Sequence, residues 1–298
     1  MNNIKSVKFI DKVASLLIRS GGVLVISCVA LIIFMIFKVA FPLFLSPSIK
    51  LNKEIKVELD ESILEIGLSE YQDFYFTISN KGLLSIYSLT NKPKLVESRH
   101  LHANDEAVLK INHISKDIYA IHWQDGKSSF LKISSKSVKI ADTRVNKLAG
   151  ELLATIQVPY ASTPTNIVSA MDLEKGEIVR VYTANDKVYT NILKFDQEEK
   201  EANVSGSGEV FILEKIKNGN TFLTLNATGD QLWVASSSGQ LSHYKIEVEK
   251  GLSLCEEINI EKEITALENA FGDASLLVAQ KDGEVNSWFP VRLDNNLE

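Results

Sequence analysis

Only two cysteines occur in 298 residues, and that scarcity excludes a disulfide framework. Cys28 lies inside an apolar run and Cys255 far downstream, so the two are not expected to meet. Each reads as a small packing hydrophobe, and an oxidising compartment is permitted without being demanded. Nucleotide and hydrolase signatures are also missing. There is no GxxxxGK loop, no GxGxxG behind a strand, no GxSxG elbow and no HExxH pair. No cationic stripe exists to displace counterions from phosphates, which excludes nucleic acid as a partner. Helical periodicity is scarce beyond residue 50.

What is present divides sharply by charge. The formal net charge is −6, yet residues 1–50 hold Lys5, Lys8, Lys12, Arg19, Lys38 and Lys50 against Asp11 alone. That segment carries +5, which leaves −11 on the other 248 residues. The acidic body reads as a soluble, self-repelling surface.

Residues 20–37 are 18 positions without a charge, and with Lys38 snorkelling the apolar run extends to residue 45. A helix of 26 residues spans roughly 39 Å, enough for a hydrocarbon core of about 30 Å. Pro42 falls in its last turn, near the headgroups. A cleaved signal peptide would need a shorter core and a small-x-small site. Phe41-Pro42-Leu43-Phe44-Leu45 offers bulky groups instead, so an uncleaved transmembrane helix over residues 20–45 is expected. The cations Lys5, Lys8, Lys12 and Arg19 precede it, which places the N-terminus in the cytoplasm and residues 46–298 outside. In residues 1–19 those cations recur at helical spacing, with Ile4, Val7, Ile10, Val13 and Leu17 on another face. Two readings stand: a basic amphipathic helix on the inner leaflet, or a plain flank that extends the membrane helix.

Beyond residue 50, five runs share one pattern, an apolar strand, a tight polar turn and a second strand. They cover residues 74–87, 118–126, 179–189, 232–241 and 276–288. Asp-Gly and Ser-Gly suit hairpin turns because those turns need positive φ. Taking Gly82, Gly126, Asp186, Gly239 and Gly283 as markers, the spacings are 44, 60, 53 and 44 residues. Four-stranded propeller blades repeat at about 40–50 residues, with insertions in loops. The expectation is an all-β, β-propeller-like domain over residues 46–298, closed or an incomplete arc, preceded by a single transmembrane α-helix. A pair of β-sandwiches is the alternative. No clear strand follows the last hairpin to complete a first blade.

No residue rises to a site. His100 and His102 share a strand face but lack a third metal ligand, and a solvated strand is the simpler reading. Asp105 and Glu106 read as solvated loop acids. Trp123, Trp233 and Trp288 each sit beside a hairpin turn, where blade packing outweighs an aromatic ligand platform. Asn203-Val204-Ser205 and Asn226-Ala227-Thr228 match glycosylation sequons, a triplet that recurs by chance. Catalytic, cofactor-binding and metal residues are all expected to be absent, and the chain reads as a non-enzyme.

The string Gly21-Gly22-Val23-Leu24-Val25-Ile26 opens the helix and Phe41-Pro42-Leu43-Phe44 closes it. With Asp282-Gly283-Glu284-Val285-Asn286-Ser287-Trp288-Phe289-Pro290-Val291-Arg292, these resemble the N-terminal part of the extended phosphate ABC transporter permeases of Gram-negative bacteria. The resemblance implies a bacterial inner-membrane protein with a propeller-like periplasmic insert. It implies as partners the lipid bilayer, a second permease subunit, a cytoplasmic ABC ATPase and a periplasmic phosphate-binding protein. Such permeases carry further transmembrane helices, and one helix cannot enclose an anion path, so the resemblance points to a fragment or split version. The competing expectation is an independent single-pass envelope scaffold or sensor that uses its propeller to hold protein partners.

Overall fold

The computed structural model describes residues 2–44, 62–89, 94–104, 106–140, 143–195, 202–204, 209–214, 220–248, 250–270, 272–273 and 275–289. The chain forms two compact units, Met1–Lys56 and Val57–Glu298.

The first unit is built on one helix, α1 (Asn2–Ala40), followed by a 3-10 turn at Phe41–Phe44. It runs unbroken through the basic flank and the apolar run. It stops at Ala40 because a residue before proline is pushed out of the α region, and Phe41 precedes Pro42. The part Ala14–Ala40 has 27 residues and a mean hydropathy of 2.8, and none of its most apolar stretch is buried. A helix that is apolar all round needs an apolar solvent, and about 40 Å of helix exceeds the roughly 30 Å of a bilayer core. Ser20 Oγ donates to Leu17 O at 3.0 Å and Ser27 Oγ to Val23 O at 2.9 Å, so both hydroxyls are satisfied within the helix. By length and composition α1 fits a membrane anchor or a signal sequence.

The second unit is all-β and propeller-like. The first sheet is the meander β1 (Ile63–Leu68), β2 (Phe74–Ser79), β3 (Leu83–Ser88) and β4 (Lys94–His100). The second runs β5 (Val108–Ser115), β6 (Ile118–Trp123), β7 (Lys127–Ile140) and β8 (Thr143–Gln157). The third holds β9 (Asn166–Asp172), β10 (Glu177–Ala184) and β11 (Lys187–Lys194). Next in the chain, β12 (Ala202–Val204) returns to pair parallel with β8, and β13 (Glu209–Glu214) completes the third sheet beside β11. The fourth is β14 (Thr221–Leu225), β15 (Gln231–Ser236), β16 (Gln240–Glu247) and β17 (Gly251–Asn259). The fifth is β18 (Ile264–Asn269), β19 (Leu276–Gln280) and β20 (Val285–Trp288).

Each of the five expected hairpins supplies the second and third strands of one sheet. All five turn markers have positive φ: Gly82 71°, Gly126 92°, Asp186 59°, Gly239 98° and Gly283 88°. The sheets stack face to face in chain order, β1 against β5, β5 against β9, β9 against β14 and β14 against β18. The first strand of each sheet thus forms the inner edge, which is the arrangement of propeller blades and not of paired sandwiches. The first sheet has four strands and the fifth has three among the described residues, and the stretch after the last hairpin, 290–298, lies outside the described residues.

Four apolar seams glue the stack. Between the first and second sheets lie Phe76, Ile86, Ile121, Trp123 and Leu131. Between the second and third lie Phe130, Ile156, Met171 and Ile178. Val179, Val181, Leu223 and Leu232 fill the third seam, and Leu241, Ile264 and Val278 the fourth. The period of two explains this: in β6, Tyr119, Ile121 and Trp123 face the first sheet while Ala120 faces the third. Inner sheets are therefore covered on both faces, and their middle strands read as near-continuous apolar runs. Gly82 shows how close the sheets come, since a Cβ there would lie 2.3 Å from the Trp123 ring.

Candidate functional site

The inner edge of the stack is polar. Lys110 on β5 donates from Nζ to Asn166 Oδ1 on β9 at 2.7 Å, and Asn166 Nδ2 donates to Thr221 O on β14 at 3.1 Å. Asn112 Nδ2 donates to Ser169 O at 2.9 Å, while Ser169 N donates to Asn112 Oδ1 at 3.0 Å. Three neighbouring sheets are stitched at their first strands by side chains.

A directed chain of hydrogen bonds leads inward from the seam to this edge. Arg180 on β10 is wholly buried. Its Nη2 donates to Val158 O at 2.7 Å, its Nη1 to Gly126 O at 3.0 Å and, more distantly, to Ser128 Oγ at 3.4 Å. Asn191 Oδ1 accepts from Nε and Nη2, and the guanidinium lies 4.7 Å from the centre of the Tyr160 ring. Four acceptors and an aromatic face thus hold a buried cation. The Ser128 hydroxyl, which accepts from Arg180, lies 2.9 Å from Nδ1 of His122 and donates to it when the ring proton sits on Nε2. Asn112 Oδ1 can only accept, so His122 Nε2 carries the proton and donates to it at 2.8 Å. Burial, with the charges of Arg180 and Lys110, holds the His122 pKa well below the usual histidine value. The imidazole is neutral.

Along the inner strands β5, β9, β14 and β18 opens a cavity of ≈ 770 Å³. Lys110, Ser169, Phe222, Glu268 and Asn269 are among its walls. Burial lowers the Lys110 pKa, against the pull of Glu268. Burial also raises Glu268, with Lys110 and His113 opposing, although the residue is exposed. Two further polar atoms are buried without a hydrogen-bond partner, Ser169 Oγ and Asn269 Nδ2. Among the described residues, no three His, Cys, Asp or Glu side chains form a metal-ligating group.

The residues singled out from sequence lie elsewhere. Trp123 is wholly buried, donates from Nε1 to Ser129 Oγ at 3.0 Å and packs beside His102. Trp233 stacks on His243 with ring centres 4.1 Å apart, and Trp288 packs on the fourth seam. The three rings lie on three different sheets, each against its own neighbours. His102 corrects the reading of a solvated strand: it is buried beyond the end of β4, with Nε2 3.2 Å from Asp125 Oδ2. Its imidazole fills the wall beside Trp123 while Asp125 meets its polar edge. His100, on β4, is exposed. Cys255 also departs from expectation, lying exposed on β17 because outer strands lack a neighbouring sheet; Cys28 is exposed on α1. Glu106 is half-buried, and Asp105 lies outside the described residues. Asn226 is tied into its own turn, donating to Thr228 Oγ1 at 2.8 Å and to Asp230 Oδ1 at 2.5 Å. Asn203 falls on β12, paired to β8.

The inner-edge residues carried one readable signal. A polar residue inside an apolar middle strand, as in Val179-Arg180-Val181 or Ile121-His122-Trp123, must be buried and therefore partnered. Nothing in the sequence alone says which partner.

No family model matches this chain, and no curated protein matches it. Among solved structures it is similar to the crystal structure of a protein from Lactobacillus plantarum, a structural-genomics target, at 12% identity and a TM-score of 0.44, covering 74% of this chain and 69% of that one.

Proposed function

We propose that the chain is the membrane-anchored N-terminal portion of a phosphate ABC transporter permease, contributing a periplasmic interaction and regulatory domain to phosphate import. The observation that carries the reading is an unburied apolar helix of 27 residues in one chain with a propeller-like body that has no metal-ligating cluster among its described residues. The helix is anchored in the bacterial inner membrane, N-terminus inside, because its flanking cations precede it. The strings at both ends of the helix and at residues 282–292 support the permease assignment.

An interaction role has its own support on the first sheet. Leu64, Ile66 and Leu68 alternate along β1 and are 44%, 65% and 65% exposed. Along the register Leu68–Tyr75–Tyr87–Leu95 the same face passes through buried Tyr75 and half-buried Tyr87 to Leu95, itself half exposed. Exposed apolar side chains grouped on one strand face support a protein contact site there.

The test is affinity capture of the full chain from bacterial membranes grown at low phosphate. The reading expects a second permease subunit, an ABC ATPase and a phosphate-binding protein to co-purify. Recovery of unrelated envelope proteins without those three overturns it in favour of an independent single-pass scaffold.

A further inference from the structure

Two lysines line the cavity on the inner edge, Lys110 on β5 and Lys116 just beyond it, and they are held in opposite ways. Lys116 is exposed, and its Nζ donates to a carboxylate, Glu70 Oε1, at 2.8 Å. That hydrogen bond and charge raise the Lys116 pKa, so it stays an ammonium. Lys110 is half-buried, and its Nζ donates instead to a neutral amide oxygen, Asn166 Oδ1, at 2.7 Å. Of the two acids on the cavity wall, Asp273 accepts from Ala227 N at 2.7 Å, and neither forms an ion pair with Lys110 among the described residues. Burial therefore outweighs the pull of Glu268 and lowers the Lys110 pKa.

A lysine whose charged form is disfavoured inside a cavity is a nucleophile, because the free amine attacks where the ammonium cannot. Asn166 takes one N–H, which holds the amine in place and leaves its lone pair for an electrophile. Val168, Phe222 and Leu223 supply apolar wall in the same cavity. Its volume of ≈ 770 Å³ lies in the range of small-molecule sites. An electrophile with a hydrocarbon tail fits that lining. A carbonyl carbon is the electrophile that a lysine amine captures without any further reactant.

The geometry points to Lys110 as a capture site for a small apolar aldehyde, held as a Schiff base. The Nζ lone pair attacks the carbonyl carbon, and one Nζ proton passes to the carbonyl oxygen to give a carbinolamine. The C–O bond then breaks as the second Nζ proton joins the departing oxygen, so water leaves and a C=N bond remains. No oxidant or reductant is consumed. The site needs neither the membrane anchor nor the permease reading, so it stands or falls separately from them.

The test uses the full chain in phosphatidylcholine nanodiscs at neutral pH, with pentanal as the probe and cyanoborohydride to fix the imine. Peptide mass spectrometry then reads the alkylated fraction at Lys110 and at Lys116. Lys110 should be labelled at least about tenfold faster than Lys116, since each pKa unit between two amines is a tenfold difference in free base. Asn166→Asp gives Lys110 a carboxylate like the one beside Lys116, and its labelling should fall towards the Lys116 rate. Glu70→Gln, a change at an exposed position, should raise labelling at Lys116 and leave Lys110 as it was. Equal rates at the two lysines of the unaltered protein overturn the proposal, as does no labelling of Lys110. That comparison lies within one molecule and needs no variant to fold.

Discussion

Replacing Arg180 by methionine isolates what a buried cation does in a seam with no acid against it. The methionine keeps much of the stem's volume and removes every donor. Gly126 O, Val158 O and Asn191 Oδ1 then lose the guanidinium bonds that satisfy them. A buried acceptor left without a partner costs about 1–3 kcal/mol, so three give roughly 3–9 kcal/mol. Against this stands relief from holding a charge out of water, an effective several kcal/mol per ion. The aromatic face of Tyr160 and four polar partners already offset most of that penalty, so the lost acceptors should win by about 3 kcal/mol. For a unit of this size each kcal/mol moves the midpoint by about 2–4 °C, and Arg180→Met should therefore melt about 6–12 °C lower. The assay is thermal unfolding followed by the fluorescence of buried Trp123. Arg180→Lys, which keeps the charge and loses the fork, should fall between the two. An Arg180→Met protein as stable as the parent, or more so, would refute the reasoning and show that desolvation of the guanidinium dominates.

Other outcomes follow from the same geometry. Because the folded state holds His122 neutral while the unfolded chain titrates it near pH 6.5, the unfolded state binds the extra proton below that pH. Stability should fall as pH drops from about 6.5, by up to about 1.4 kcal/mol per pH unit from this group; denaturant midpoints at pH 7 and pH 5 should show a smaller loss in His122→Asn. Gly82→Ala places a methyl against the Trp123 ring at a positive-φ turn and should lower stability by about 1–3 kcal/mol, read as a lower melting temperature with shifted tryptophan emission. Ile66→Lys on the exposed face of β1 should leave the melting temperature within about 2 °C, as surface substitutions do, yet reduce partner capture; unchanged capture would remove that face from the interface.

The middle hairpin of every sheet was legible because two signals agree there. Val179-Arg180-Val181-Tyr182 is apolar enough for a strand covered on both faces, and Asn185-Asp186 accepts the left-handed backbone that closes its turn. The first strands were harder to read: β1 opens with Ile63-Leu64-Glu65-Ile66, which breaks strict alternation, and β5 mixes Lys110, Asn112 and His113 with apolar neighbours. Their polar groups serve contacts between sheets 50 or more residues apart in sequence, as Asn112 does with Ser169, and no local periodicity encodes those. His102 was misread for a related reason. Its burial depends on Trp123 and Asp125, which arrive from the second sheet. The short parallel return of β12 to β8 left no local mark either.

The decisive measurement is the fate of α1 in bacterial cells. Membranes are washed at alkaline pH, intact spheroplasts are treated with protease, and the mature N-terminus is read by mass spectrometry. The account predicts a chain that stays in the membrane pellet, retains the residues of α1 and loses its β-sheet body to external protease. A soluble protein beginning just after Phe44, or a body protected until the spheroplasts are lysed, would contradict it.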